Sequence, residues 1–225
     1  MSDEAEPERA SRREAVALVR DPAAVAQREA ENGVRQFDAV LVEINEALHK
    51  GHSPLRVRPS LVMELNRLAI DGINNYAGVF RPHAMGITNS KHTPPPAREV
   101  PRLVEELCDY IERNWEKPAI HLAAYVLWRV NWIHPFDDGN GRTARALCHF
   151  VMCVRMGAPL PITDTIPDQI SRNKGPYYRA LEAADAAFGQ GRIDVSDLEA
   201  LLQRLLARQL AELYERATGS KFEPG

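Results

Sequence analysis

The chain has 225 residues, 44% of them hydrophobic and 26% charged, with a formal net charge of -3, which suits one well-buried domain with a small appendage. Its 28 Lys and Arg residues are scattered among 31 acids, so no basic footprint for nucleic acid is present, and charges interrupt every apolar stretch short of membrane-spanning length. The acidic start MSDEAEPERA has neither the basic nor the apolar part of a signal peptide, and a cytoplasmic protein without a membrane partner is expected.

Residues 1–13 are rich in Glu, Arg, Ser and Pro, and a segment with so little to bury reads as a mobile tail. From Val25 to Leu48 apolar residues (Val34, Phe37, Val40, Leu41, Ile44, Leu48) recur every three or four positions, the period of an amphipathic helix. Asn32-Gly33 is expected to break or cap it. Further helices are predicted over 59–75, 98–115, 119–132, 142–156, 176–188 and 195–215. Pro59 and Pro118 stand near two of the starts, where a missing N–H costs little. Between the first two of these, Ala77 to Pro96 contains Gly78, Gly86 and three consecutive prolines. It cannot be helical throughout, and its centre, Ala84 to Asn89, is expected to form a short hairpin. The last helix, with Leu201, Leu202, Leu205, Leu206 and Leu210, is expected to pack on the core, a homodimer face being the alternative. Cys108, Cys148 and Cys153 form no CxxC pair and are odd in number, which points to reduced thiols lining the core. Strands do not alternate with helices, so the fold class expected is all-α.

The chemistry concentrates in His134-Pro-Phe-Asp-Asp-Gly-Asn-Gly-Arg-Thr-Ala-Arg145, a glycine-rich turn leading into a helical run. Backbone N–H groups exposed at a helix start, together with the dipole, favour an anion there. Arg142 and Arg145 oppose that dipole and repel each other, an arrangement that makes sense around a polyanion, since the guanidinium fork binds phosphate oxygens through two hydrogen bonds. Asp138 is placed to hold Mg²⁺, which takes one or two carboxylates plus phosphate oxygens. His134 is placed to accept a proton from an attacking hydroxyl. A transition-metal pair of His134 with Asp138 is the alternative, for which no third ligand is evident nearby.

This stretch resembles the signature of the Fic family, HxFx(D/E)GNGRxxR, at all eight fixed positions of twelve. The similarity extends over most of residues 25–190, including Ala77-Gly-Val-Phe-Arg81, Ser90-Lys-His-Thr-Pro-Pro95 and Tyr177 to Asp185. It implies an all-helical core with a small β-hairpin flap, and a division into a tail (1–13), an N-terminal helical region (14–58), a catalytic core (59–190) and a C-terminal helix and tail (191–225). The implied activity is AMP transfer from Mg-ATP to a Ser, Thr or Tyr hydroxyl of a protein target, with self-modification open. His134 inherits the role of general base and Asp138 that of Mg²⁺ ligand. Gly139, Asn140 and Gly141 would cradle phosphate oxygens. Arg142 would neutralise the leaving pyrophosphate, and Arg145 would reach the γ-phosphate. Phe136 is expected to be buried and Asp137 exposed.

Glycine at position 141 resembles the AMP-transferring members rather than the Doc-like kinases, which carry lysine there. By the same resemblance Tyr178 and Asp185 line the adenine pocket, some relatives having asparagine in place of Asp185. The flap, Met85, Gly86, Ile87, Thr88 and Asn89, would register the target by strand-like pairing. Many relatives carry an inhibitory helix (S/T)xxxE(G/N), and Gln27-Arg-Glu-Ala-Glu31-Asn32 fits its end while departing at Gln27. Glu31 would then pair with Arg145 and block the γ-phosphate site, with Glu29 the weaker candidate. A target-binding module of little turnover, transfer of another phosphate-containing group, and removal of AMP are the alternatives.

Overall fold

The computed structural model describes residues 18–50 and 56–221; the expected tail over 1–13 lies outside them. The helices are α1 (Pro22–His49), α2 (Pro59–Ile70), α3 (Val100–Arg113), α4 (Ala119–Ile133), α5 (Asn140–Met156), α6 (Ile166–Arg172), α7 (Gly175–Phe188) and α8 (Ser196–Thr218), with a 3-10 turn over Ala97–Glu99 before α3. The all-α expectation holds.

α4 is the centre. From Leu122 to Val130 every residue is buried, as for a helix apolar on all sides. It packs along α5, with α3, α7 and α8 on its other faces, while α1 and α2 cover α5. The cationic exception on α4, Arg129, is 6% exposed and lies over the Trp132 ring at 4.4 Å and the Phe188 ring at 5.0 Å, where the ring faces attract it. Cys108, Cys148 and Cys153 are free and buried, and burial pushes the Cys153 thiol up to about 11.

Three sequence expectations need correction. α1 does not break at Asn32-Gly33. Asn32 is fully buried and its Nδ2 donates to the carbonyl of Asp71 at 2.9 Å, so a tertiary contact outweighs the roughly 1 kcal/mol that a mid-helix glycine costs. α2 ends at Ile70 rather than near 75, because Gly72 turns the chain with a φ of 70°. The expected hairpin over Ala84 to Asn89 is absent: no strand forms among the described residues. Met85 and Ile87 are both buried, so alternate side chains anchor one extended segment, which turns at Asn89 with a φ of 57°. α6 was not anticipated. It is short, and its signal is local, the Thr165 hydroxyl capping the Asp168 N–H ahead of Pro167.

Candidate active site

The site is built where α4 stops. His134 takes the left-handed conformation, φ 50° and ψ 60°, with its N–H still donating to Val130, and so turns the chain out of the helix. The main chain that follows is held from the side: Arg81 Nε donates to the His134 carbonyl at 2.7 Å, and the Arg81 N–H to the Pro135 carbonyl at 2.9 Å. The His134 imidazole is 7% exposed. Burial pushes its pKa down to about 3; a hydrogen bond to the Asn131 backbone opposes the shift, and Arg81 and His92 add to it. The ring is therefore neutral near pH 7, the form a general base needs.

The glycine-rich loop is wired from within. Phe136 is fully buried, as expected, and bridges antiparallel to Phe80. The Asn140 side chain accepts from the Phe136 N–H at 2.9 Å and donates to its carbonyl at 2.8 Å, so both ends of that amide hold the loop. Asp137 is not exposed, as the resemblance led one to expect, but 3% exposed. It faces His83 Nε2 at 2.8 Å and accepts from Asn74 at 3.0 Å, fastening the loop to the segment before it. Gly139 has a φ of 76°, and a Cβ there would meet Ile70 Cγ2 at 2.7 Å. Beside it, fully buried Asn66 donates to the Asp138 carbonyl at 2.8 Å and accepts from the Gly78 N–H at 3.0 Å. Asn66 is structural wiring that no motif announced.

α5 starts at Asn140 and carries both arginines. The Arg142 guanidinium lies 3.0 Å from Glu29 and 3.4 Å from Asp138, and donates to the Ala69 carbonyl at 3.1 Å. Arg145 Nη1 lies over Gly141, 3.2 Å from where a Cβ would stand. The Glu31 carboxylate is elsewhere. It is exposed and engaged by Gln27 at 3.0 Å and Arg28 at 3.6 Å, and it is Glu29, the weaker candidate, whose carboxylate meets a motif arginine, Arg142. The reason is helical phase: Glu29, though exposed, lies one turn before Asn32, where the buried stripe Asn32, Gln36, Val40, Ile44 begins, whereas Glu31, two residues on, points to a different face.

These groups share one cleft of about 370 Å³, lined by His134, Asp138, Gly139, Asn140, Gly141, Arg142, Arg145, Tyr178, Asp185 and Glu29, with Ile87 alone from Met85 to Asn89. Asp185 accepts from Trp128 Nε1 at 2.8 Å, and its other oxygen lies 3.9 Å from His92 Nδ1. Lys174, Asn131 and Trp132 also line the cleft; they stand outside the motif, and no spacing pointed to them. Among the described residues no three His, Cys, Asp or Glu side chains gather as a metal cluster. The donor set fits Mg²⁺ in the form that binds with phosphates, since Asp138 is a part-exposed carboxylate facing the cleft.

Residues 56–152 match the family model described as "Fic/DOC family". The chain is 27% identical over 157 residues to the protein adenylyltransferase Fic of Drosophila willistoni, covering 68% of this chain and 29% of that protein. It is 36% identical over 81 residues to a Fido domain-containing protein of Dictyostelium discoideum, covering 36% and 51%. Residues 56–152 form a Fic domain. Among solved Fic structures, a Fic domain containing signaling protein from Bacteroides thetaiotaomicron superposes with a TM-score of 0.65 at 23% identity, covering 87% of this chain and 76% of that one. Fic-1 from C. elegans gives 0.62 at 24%, covering 84% and 52%. These two likenesses establish the Fic fold. The chain spans under a third of the length of several curated adenylyltransferases it matches. No helix among the described residues is long and apolar enough to cross a membrane.

Proposed function

We propose that this chain transfers AMP from ATP to a hydroxyl side chain of a protein target. The observation that carries the reading is the shared cleft, in which a buried, neutral imidazole faces a helix start bearing two arginines and a carboxylate. His134 takes the proton of the attacking hydroxyl as its oxygen bonds to the α-phosphorus. The bond from that phosphorus to the bridging oxygen breaks, and pyrophosphate leaves with the bonding electrons. The N–H groups at the start of α5 and the guanidinium groups of Arg142 and Arg145 stabilise the charge that gathers on the phosphates. Asp138 would hold Mg²⁺, which supplies further charge neutralisation. Tyr178 and Asp185 line the same cleft and would contact the adenine, and the Met85 to Asn89 segment offers backbone groups to a target strand.

Glu29 serves as a brake in this reading. Its carboxylate takes, on Arg142, the place that a leaving pyrophosphate would occupy. The test compares Glu29→Gly and Glu31→Gly with the parent, using α-labelled ATP and counting AMP incorporated into protein, the chain itself included. Glu29→Gly raises incorporation several-fold and Glu31→Gly leaves it unchanged; the opposite order removes Glu29 from this role. Absence of incorporation in every variant, together with failure to retain Mg-ATP, sinks the transferase reading.

A further inference from the structure

Arg81 is 1% exposed, and no carboxylate lies within ion-pair distance of it among the described residues. Its charge is met by carbonyl oxygens. Nε donates to His134 at 2.7 Å, Nη1 to His83 at 2.8 Å, and Nη2 to Pro95 at 2.6 Å and more loosely to Ile133 at 3.4 Å. Two of these acceptors belong to the C-terminal end of α4, where the helix dipole favours a cation. The other two, His83 and Pro95, are the two ends of the extended segment that contains Met85 to Asn89. A buried cation is costly to keep, and a smaller donor would not span this set. The guanidinium alone among side chains presents five N–H groups in a fixed fork.

We infer that Arg81 is a positioning residue, which fastens the target-side segment 83–95 to the backbone of His134 and so fixes the distance between bound target and base. This rests on the transferase reading above. The left-handed backbone at His134 sets where its ring points, and such a conformation persists only when its surroundings over-determine it. Arg81 is the side chain that holds that backbone and both feet of the facing segment together. A reacting group displaced by about 1 Å costs roughly 100-fold in rate.

The test makes Arg81→Gln and Arg81→Lys on the Glu29→Gly background, in the full chain. Mg-ATP affinity and the KM for ATP stay near those of the background, while the turnover for AMP incorporation falls roughly 100-fold in Arg81→Gln and less in Arg81→Lys. Amide exchange in nucleotide-free protein quickens by about an order of magnitude over 79–95 and 131–138 together, with α3 and α8 unchanged. Unaltered turnover, or faster exchange spread evenly over the whole molecule, overturns the inference. If Arg81→Gln fails to fold, Arg81→Lys carries the same comparison. If Glu29→Gly is silent but Glu31→Gly incorporates AMP, the Arg81 variants are made on Glu31→Gly instead; if neither incorporates AMP nor retains Mg-ATP, the transferase reading fails, and the exchange pattern still decides whether Arg81 joins the two segments.

Discussion

Gly139 and Gly141 stand two residues apart in the same motif, yet the structure predicts opposite outcomes for alanine at each. Gly139 has a φ of 76°, and its added Cβ would lie 2.7 Å from Ile70 Cγ2 and 3.0 Å from Asn66 Nδ2. The left-handed backbone costs a non-glycine residue about 1–2 kcal/mol, and forcing a methyl into a packed site about 1–3 kcal/mol more, so Gly139→Ala is expected to lose about 2–5 kcal/mol. Relief by moving Asn66 would break its bond to the Asp138 carbonyl. Gly141 is helical, and its Cβ would meet only the far end of Arg145, 3.2 Å away. Gly141 is the second residue of α5, where alanine gains less than the roughly 0.5–1 kcal/mol it gains over glycine in mid-helix, so Gly141→Ala keeps or slightly raises stability while displacing Arg145 and weakening Mg-ATP binding. Urea denaturation at fixed pH, paired with calorimetric ATP titration, separates the two. A Gly139→Ala protein within about 1 kcal/mol of the parent, or a Gly141→Ala protein as unstable as Gly139→Ala, would refute the reasoning.

Burial lowers the pKa of His149 to about 4 and that of His134 to about 3, below the value near 6.5 expected of the unfolded chain. The unfolded state therefore binds more protons below pH 6.5, and each histidine lowers stability as pH falls, by about 2 kcal/mol at pH 5; His149→Gln should remove its share of that slope in denaturation curves at pH 7 and 5, and an unchanged slope counts against the burial argument. Asp137→Ala leaves Asn74 and His83 without their shared acceptor, a loss of about 1–3 kcal/mol that a thermal melt would register together with weaker nucleotide binding; a parent-like melt would mean the carboxylate is dispensable to the loop.

The sequence exposes the parts of this protein that obey a local rule. The apolar periods of α1, α3, α4 and α7 repeat within each segment, and the loop from His134 to Arg145 is dense in residues with narrow chemical uses. What it hides depends on partners distant along the chain. Whether α1 survives Gly33 depends on the Asp71 carbonyl, which receives Asn32. The burial of Asp137 depends on His83 and Asn74, more than fifty residues away. Asn66 is an ordinary helix residue until the loop folds over it. The flap is the instructive failure, because Gly86 and Asn89 supply turn chemistry, but buried Met85 and Ile87 hold the segment to the body instead of to a second strand.

The Glu29–Arg142 contact ties the sequence argument to the energetics. Two arginines at the start of a helix imply an anion, and in the structure the carboxylates of Glu29 and Asp138 meet Arg142. Glu29 is 45% exposed at its side chain, and pairs of that kind contribute about 0.2–1 kcal/mol. The charge alone therefore weakens ATP binding by at most about fivefold, and a metal-bound triphosphate can displace it. In the proposed reading, a brake of this strength works by where it leaves Arg142, pointing at α1 instead of at the leaving group, and less by excluding the nucleotide. Glu29→Gln keeps the bulk and removes the charge. It should release most of the increase seen in Glu29→Gly, with ATP affinity changing less than turnover; a large gain in affinity with unchanged turnover would assign Glu29 to occlusion of the site instead.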